Sequence, residues 1–252
     1  MTPYPHAQPG TVYLVGAGPG APDLLTVRAA RLLRQADVVV CDDLVDPETC
    51  EGLRAEVLQV GKRGGQPHTA QATIHALLIE RARAGQIVVR LKGGDPFVLG
   101  RGSEEAQELA QAGIPCEVVP GLSSALAAPL LAGIPVTHRG IADAFCVVSA
   151  HPRLEGAPSL PPYHPRRTLV VLMGVATLPQ WLPLLEPLGY PPELPLAVVT
   201  WAGRREQTLV VTDLGHVAEV AAREPLHSPA VIVLGHVVAL GRSMAPQIGA
   251  KP

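Results

Sequence analysis

An excess of charge of either sign is the first thing this chain lacks. Its 252 residues carry 20 Lys+Arg against 22 Asp+Glu, a formal net charge of −2. A nucleic-acid binder ordinarily presents a strongly basic face, so no nucleic-acid partner is expected. A near-neutral total still leaves room for a local basic pocket. Long apolar runs are missing as well: none approaches the roughly 20 residues of a membrane span. The opening residues 1–10 are polar and proline-rich, without the apolar core of a signal peptide. These absences predict a cytoplasmic protein with no membrane partner. Cysteine is sparse, and Cys41, Cys50, Cys116 and Cys146 form no CxxC pair. They read as reduced core residues rather than a disulfide framework or a zinc site. No pair of histidines has metal-ligand spacing, so no metal is expected. Lysine occurs only as Lys62, Lys92 and Lys251, and the first two lie inside glycine-rich segments.

What is present is an apolar fraction of 47%, enough to bury one large core or two small ones. In the first half, short apolar runs predict strands at Thr11–Val15, Asp37–Cys41, Glu56–Val60, Ile87–Leu91 and Cys116–Val119. Between them, helical spacing predicts helices over about Leu24–Gln35, capped by Asp23, then Ala70–Ala84 and Ser103–Ala112. Strands alternating with helices predict a largely parallel α/β sheet. Each glycine-rich segment then follows the carboxyl end of a strand, the edge where open α/β sheets bind ligands. The second half reads differently. A small-residue helix covers Ser123–Ala132, and strands are predicted at Phe145–Ser149, Thr168–Met173, Leu196–Thr200, Thr208–Thr212 and Ala230–Leu234. Helices are predicted at Thr177–Leu188 and Leu214–Arg223. The boundary between two domains, 11–120 and 121–245, falls near Pro120–Gly121.

Three segments carry chemistry. Gly16-x-Gly18-x-x-Ala21, with Asp42 about 20 residues on, formally fits the dinucleotide fingerprint and raises a nicotinamide-linked oxidoreductase as an alternative. Pro19 and Pro22 argue against it, because that fingerprint offers helix N–H groups to a pyrophosphate and proline has none. In Lys92-Gly93-Gly94-Asp95-Pro96-Phe97, two glycines permit close approach of a ligand to the backbone. Asp95 either accepts from a ribose hydroxyl or an amine, or caps a turn. Arg101, between Gly100 and Gly102, either clamps a carboxylate bidentately or is simply solvated.

Taken in order, several segments resemble the tetrapyrrole methylases, and among them the uroporphyrinogen-III C-methyltransferases. These are Val12–Gly20, Asp42 with Leu44-Val45, Gly61-Lys62-Arg63, Val89–Val98, Gly100-Arg101-Gly102, Val118–Gly121, Gly133-Ile134-Pro135 and Thr137–Gly140. The match continues weakly through Met173-Gly174, Ser228–Ala230 and Gly241. The resemblance implies a homodimer of two α/β domains with S-adenosylmethionine in the cleft between them, leaving as S-adenosylhomocysteine. It carries over Pro19, Gly93, Gly94, Asp95, Val98, Ser123, Ser124, Met173 and Ala202 as cofactor contacts, Asp42 as proton acceptor and Lys62 as proton donor. The implied reaction methylates two ring carbons of uroporphyrinogen III to give precorrin-2, for siroheme or cobalamin synthesis. Because that substrate has eight carboxylates, Arg63, Arg101 and Arg139 suit it as partners.

The chain departs from the family pattern in places. Asp43 stands where arginine is usual, placing an anion beside the implied base. Leu99 replaces a phenylalanine, Ala202 a glycine and His236 a glutamate, and Ser149-Ala150-His151 softens a Thr-Gly-His segment. The alternatives are another precorrin methylase, a methylase of protein or RNA, the nicotinamide-linked oxidoreductase, and a cofactor-binding relative without catalysis.

Overall fold

The structure is a computed structural model and describes residues 6–61, 70–151 and 158–244, with side chains of the last helix described through Gly241. The chain divides into two compact units between Ser123 and Ser124.

The first unit holds β1 (Val12–Gly16), α1 (Val27–Gln35), β2 (Val38–Cys41), β3 (Glu56–Gln59), α2 (Gln71–Arg83), β4 (Val88–Lys92), α3 (Gly102–Gln111) and β5 (Cys116–Val119). All five strands are parallel, in the order β3-β2-β4-β1-β5. Strand side chains alternate between the faces, and each face is covered. Tyr13, Val15, Val39 and Leu91 pack with Leu32 and Leu33 of α1. Val12, Leu14, Val38 and Val40 pack with Ile74 and Leu78 of α2 and Leu109 of α3. Burial on both faces explains why β1, β2 and β4 are unbroken apolar runs apart from Arg90 and Lys92.

The predicted parallel sheet is present, with one local correction. The helix expected from Leu24 under an Asp23 cap is a 3-10 turn at Pro22–Leu24, and α1 begins only at Val27. Leu25 and Thr26 are extended, and Thr26 is the cap, its Oγ1 accepting from Ala29 N at 3.1 Å.

The second unit holds α4 (Ser124–Leu131), β6 (Ala144–Ser149), β7 (Arg167–Leu172), α5 (Leu178–Trp181), β8 (Pro195–Thr200), β9 (Thr208–Asp213), α6 (Val217–Arg223), β10 (Ala230–Leu234) and α7 (Val238–Met244). Its sheet is mixed, in the order β6-β7-β10-β8-β9: β6 and β7 are parallel, and the remaining neighbours antiparallel. One face packs against Ala125 and Ala128 of α4, the other against Trp181 and Leu185. The helix expected over Thr177–Leu188 is broken into α5 and 3-10 turns at Leu182–Leu184 and Glu186–Leu188, because Pro183 and Pro187 lack the N–H that a longer helix needs. The helix expected from Leu214 starts at Val217, and α7 lies outside the expected elements. Among the described residues no helix is long and apolar enough to cross a membrane.

Candidate active site

In the first unit every strand points its carboxyl end to one edge, and the loops there interlock through glycine. Gly18 N donates to Gly94 O at 3.2 Å and Gly94 N to Gly18 O at 2.8 Å, while Ala17 N donates to Lys92 O at 2.7 Å. The loop after β1, which carries Pro19, is thus bonded to the loop after β4. The segment after β5 closes on both: a Cβ on Gly121 would lie 2.2 Å from Gly94 O and 2.7 Å from Gly16 Cα. Gly94 has φ 68°, a left-handed conformation that glycine adopts without penalty. The loop after β2 joins through Leu44, whose Cβ would stand 2.9 Å from a Cβ on Gly93.

These contacts remove the geometry of a dinucleotide site. No helix starts in the glycine segment, since α1 begins at Val27, and the Gly18 N–H is already committed to Gly94.

Asp95 serves the same junction. Its Oδ1 accepts from Phe97 N at 2.9 Å and its Oδ2 from Gly121 N at 3.1 Å. Of the two readings open at this position, the structure shows the turn-capping one, extended by a second bond to a distant loop. Beyond Asp95, Phe97, Val98 and Leu99 form an exposed apolar rim, with Leu99 held at φ 54°. Arg101, at φ 60°, gives its Nε and Nη2 to Glu104 Oε2 at 2.9 and 2.6 Å, so part of its fork is occupied within the chain.

Asp42 follows β2 at the same edge. Arg90 Nη2 donates to its Oδ1, and Lys92 Nζ lies 3.8 Å from its Oδ2. Both cations also reach Glu105, with Arg90 Nε to Oε1 at 3.2 Å and Lys92 Nζ to Oε2 at 3.1 Å. Gln71 Nε2 donates to Glu105 Oε1 at 2.9 Å and contacts His75 Nε2 at 3.1 Å. The side chains of Arg90, Lys92 and Glu105 are 2%, 4% and 0% exposed, whereas that of Asp42 is 30% exposed. Asp42 is therefore the water-facing member of a sealed cluster of two cations and two anions. Burial, reinforced by the Arg90 charge, holds the Lys92 ammonium below the ordinary lysine range, against the opposing pull of Asp42 and Glu105. Burial also works against charge on Arg90, but Asp42 and Glu105 more than offset it and its pKa is raised.

Neither Arg90 nor Glu105 was among the sequence candidates. A signal for Arg90 existed: Arg90 and Lys92 are two residues apart on a strand otherwise wholly apolar and buried, hence on one face with their charges inside. Lys62 and Arg63 lie outside the described residues. Asp43 packs over Gly61, where a Cβ would meet its Oδ1 at 1.8 Å.

In the second unit β6, β7 and β8 run the same way, so their carboxyl ends share one edge. That edge carries Ala150 and His151, Met173, and Trp201-Ala202. Met173 (φ 56°) and Trp201 (φ 51°) are both left-handed, a conformation costing side-chain-bearing residues about 1–3 kcal/mol and concentrated at ligand sites. Met173 is nonetheless exposed, while Ala202 is buried. Ser124 opens α4, and Ser123 ends the first unit. Arg139 is exposed in the turn closed by the His138–Ala142 bridge, with no ion pair to any described residue.

Proteins of known kind share this fold. The family described as Tetrapyrrole (Corrin/Porphyrin) Methylases matches residues 11–218. The chain belongs to the tetrapyrrole methylases. Among curated relatives of this methylase, the Uroporphyrinogen-III C-methyltransferase of Methanocaldococcus jannaschii is 43% identical over 91% of this chain and 97% of its own length. The Siroheme synthase of Acinetobacter baylyi is 44% identical over 93% of this chain but 52% of its own length, so the chain spans about half of that relative. Among solved structures, Uroporphyrin-III C-methyl transferase from Thermus thermophilus complexed with S-adenyl homocysteine superposes with a TM-score of 0.80 at 44% identity, covering 91% of this chain and 99% of that one.

Proposed function

We propose that this methylase transfers methyl groups from S-adenosylmethionine to two ring carbons of uroporphyrinogen III, giving precorrin-2 for siroheme or cobalamin synthesis. The observation that carries the chemistry is Asp42, a carboxylate facing water from an otherwise sealed charge cluster, on the edge where the glycine loops meet. Support for the substrate comes from the names of the two relatives and the solved structure.

The residues present fit the cofactor. Pro19, Gly93, Gly94 and Asp95 form a rigid, side-chain-poor floor, Val98 presents exposed apolar surface beside it, and Met173 is held exposed in a strained conformation. The sulfonium of the cofactor supplies an electrophilic methyl group. Asp42 accepts the proton that the alkylated ring must lose, and Lys62 delivers one. Ser123, Ser124 and Ala202 complete the cofactor contacts. Arg63, Arg101 and Arg139 hold substrate carboxylates, a role suited to Arg139 by its exposure.

The reading includes a cytoplasmic homodimer. None of the four cysteines is in a disulfide, which suits a reducing compartment. Leu126 and Leu130, one turn apart on α4, are exposed and suit a surface covered by a second copy; equilibrium sedimentation giving a single species of monomer mass would reject the dimer.

The deciding experiment is anaerobic incubation of the purified protein with uroporphyrinogen III and methyl-labelled S-adenosylmethionine, followed by mass analysis. Two labelled methyl groups on the tetrapyrrole are expected. Cofactor binding without methylation would overturn the assignment of substrate.

A further inference from the structure

The cluster behind Asp42 has a division of labour that the transfer reaction alone does not require. Three of its four charged side chains are sealed from water, and only Asp42 opens to the edge. With both cations protonated and both carboxylates ionised the cluster is neutral. Any proton gained by Asp42 leaves a net positive charge among buried groups, which is costly unless a second member can release one. Arg90 cannot, since a guanidinium does not deprotonate under these conditions. Glu105, the buried one of the two anions that both cations share, is already ionised and has no proton to release, and Gln71 holds it from α2.

Lys92 is left. Its Nζ sits between the two carboxylates, 3.1 Å from Glu105 and 3.8 Å from Asp42, and an ammonium is the cation in this cluster able to lose a proton. We infer that Lys92 is a positioning residue for the proton chemistry of Asp42: an internal counter-charge that releases a proton to solvent when Asp42 takes one from substrate and regains it when Asp42 loses its own, so that the sealed cluster stays neutral. This rests on the reading of Asp42 as the base.

Among the described residues, the charged and titratable groups around Lys92 come from several elements. Asp42 comes from the end of β2, Arg90 from its own strand and Glu105 from α3, with Gln71 and His75 of α2 behind Glu105. Cys116 of β5 also feels Glu105, and its thiol is pushed up to about 11 chiefly by burial.

The chain has three lysines, Lys62, Lys92 and Lys251, so lysine labelled with carbon-13 at Cε gives three signals. Lys62→Arg and Lys251→Arg assign two of them by the signal that each removes. Lys92 is expected to titrate below the ordinary lysine range, and in Asp42→Asn its midpoint should fall further, by on the order of one pH unit, because an anion that favours the ammonium is gone. Turnover with uroporphyrinogen III is measured on the same proteins. Lys92→Arg, which keeps the charge but cannot release a proton, should fall below the parent by roughly tenfold, the rate equivalent of one such unit, and parental turnover in it overturns the coupling. A Lys92 midpoint unmoved in Asp42→Asn, alongside lost turnover, overturns the coupling and leaves Asp42 as base. Full turnover by Asp42→Asn overturns the base assignment, and the inferred role of Lys92 with it. Should Asp42→Asn fail to fold, Asp42→Ser provides the same two readings.

Discussion

Gly16 and Gly121 approach so closely that a Cβ on Gly16 would lie 2.6 Å from both the N and the Cα of Gly121. Backbone stands against backbone there, with no flexible side chain to move aside. Gly16→Ala therefore forces the β1 and β5 ends apart and strains the bond between the Gly18 and Gly94 loops. The expected result is a loss of about 1–3 kcal/mol of stability, measured by urea unfolding, together with weaker S-adenosylhomocysteine binding. A variant with unchanged midpoint and affinity would show that the junction is not rigid.

Asp42→Asn keeps the shape of the side chain but cannot accept a proton. S-adenosylhomocysteine affinity by calorimetry should stay within about threefold of the parent, and the rate of methylation should fall by about 10²–10⁴-fold. Loss of binding together with rate would instead assign Asp42 to cofactor contact.

Glu105→Leu removes the anion that Arg90 and Lys92 share and leaves two buried cations facing Asp42 alone. Breaking a buried ion pair from one side costs about 3–5 kcal/mol, so this variant should unfold at much lower urea concentration. Glu105→Gln retains an acceptor for Arg90 and Lys92 and should lose less. Equal stability of the two variants would mean that charge at Glu105 does not hold the cluster together.

Much of the fold was legible because burial on both faces writes itself plainly into sequence. Val38-Val39-Val40 reads as a strand of a covered parallel sheet, and it is one. The position of Asp42 at the end of such a strand was legible for the same reason, while its role as proton acceptor was implied only by the resemblance. Glu105 was not, since its importance depends on α3 setting its first turn against the face of β4 that carries Arg90 and Lys92, a relation with no local pattern. The helix expected over Thr177–Leu188 despite Pro183 failed on a local rule: Pro183 and Pro187 cut it into short turns. The cap of α1 moved from Asp23 to Thr26 because Pro22 starts a 3-10 turn that spends Asp23 before the helix begins.

Asp95, proposed above as a cofactor contact, also holds the backbone. Its two oxygens bind Phe97 N and Gly121 N, so it closes its own loop and ties that loop to the segment after β5. Charge-assisted bonds of this kind contribute about 1.5–3 kcal/mol when partly shielded. Asp95→Ala should therefore release both loops, lowering stability by an amount in or below that range and weakening S-adenosylhomocysteine binding through loss of a preorganised floor. Asp95→Asn keeps one acceptor oxygen and should recover part of both losses. The comparison separates two roles. If Asp95→Asn restores stability but not affinity, the carboxylate also contacts the cofactor directly. If the two recover in proportion, its contribution to binding runs through the loop it holds.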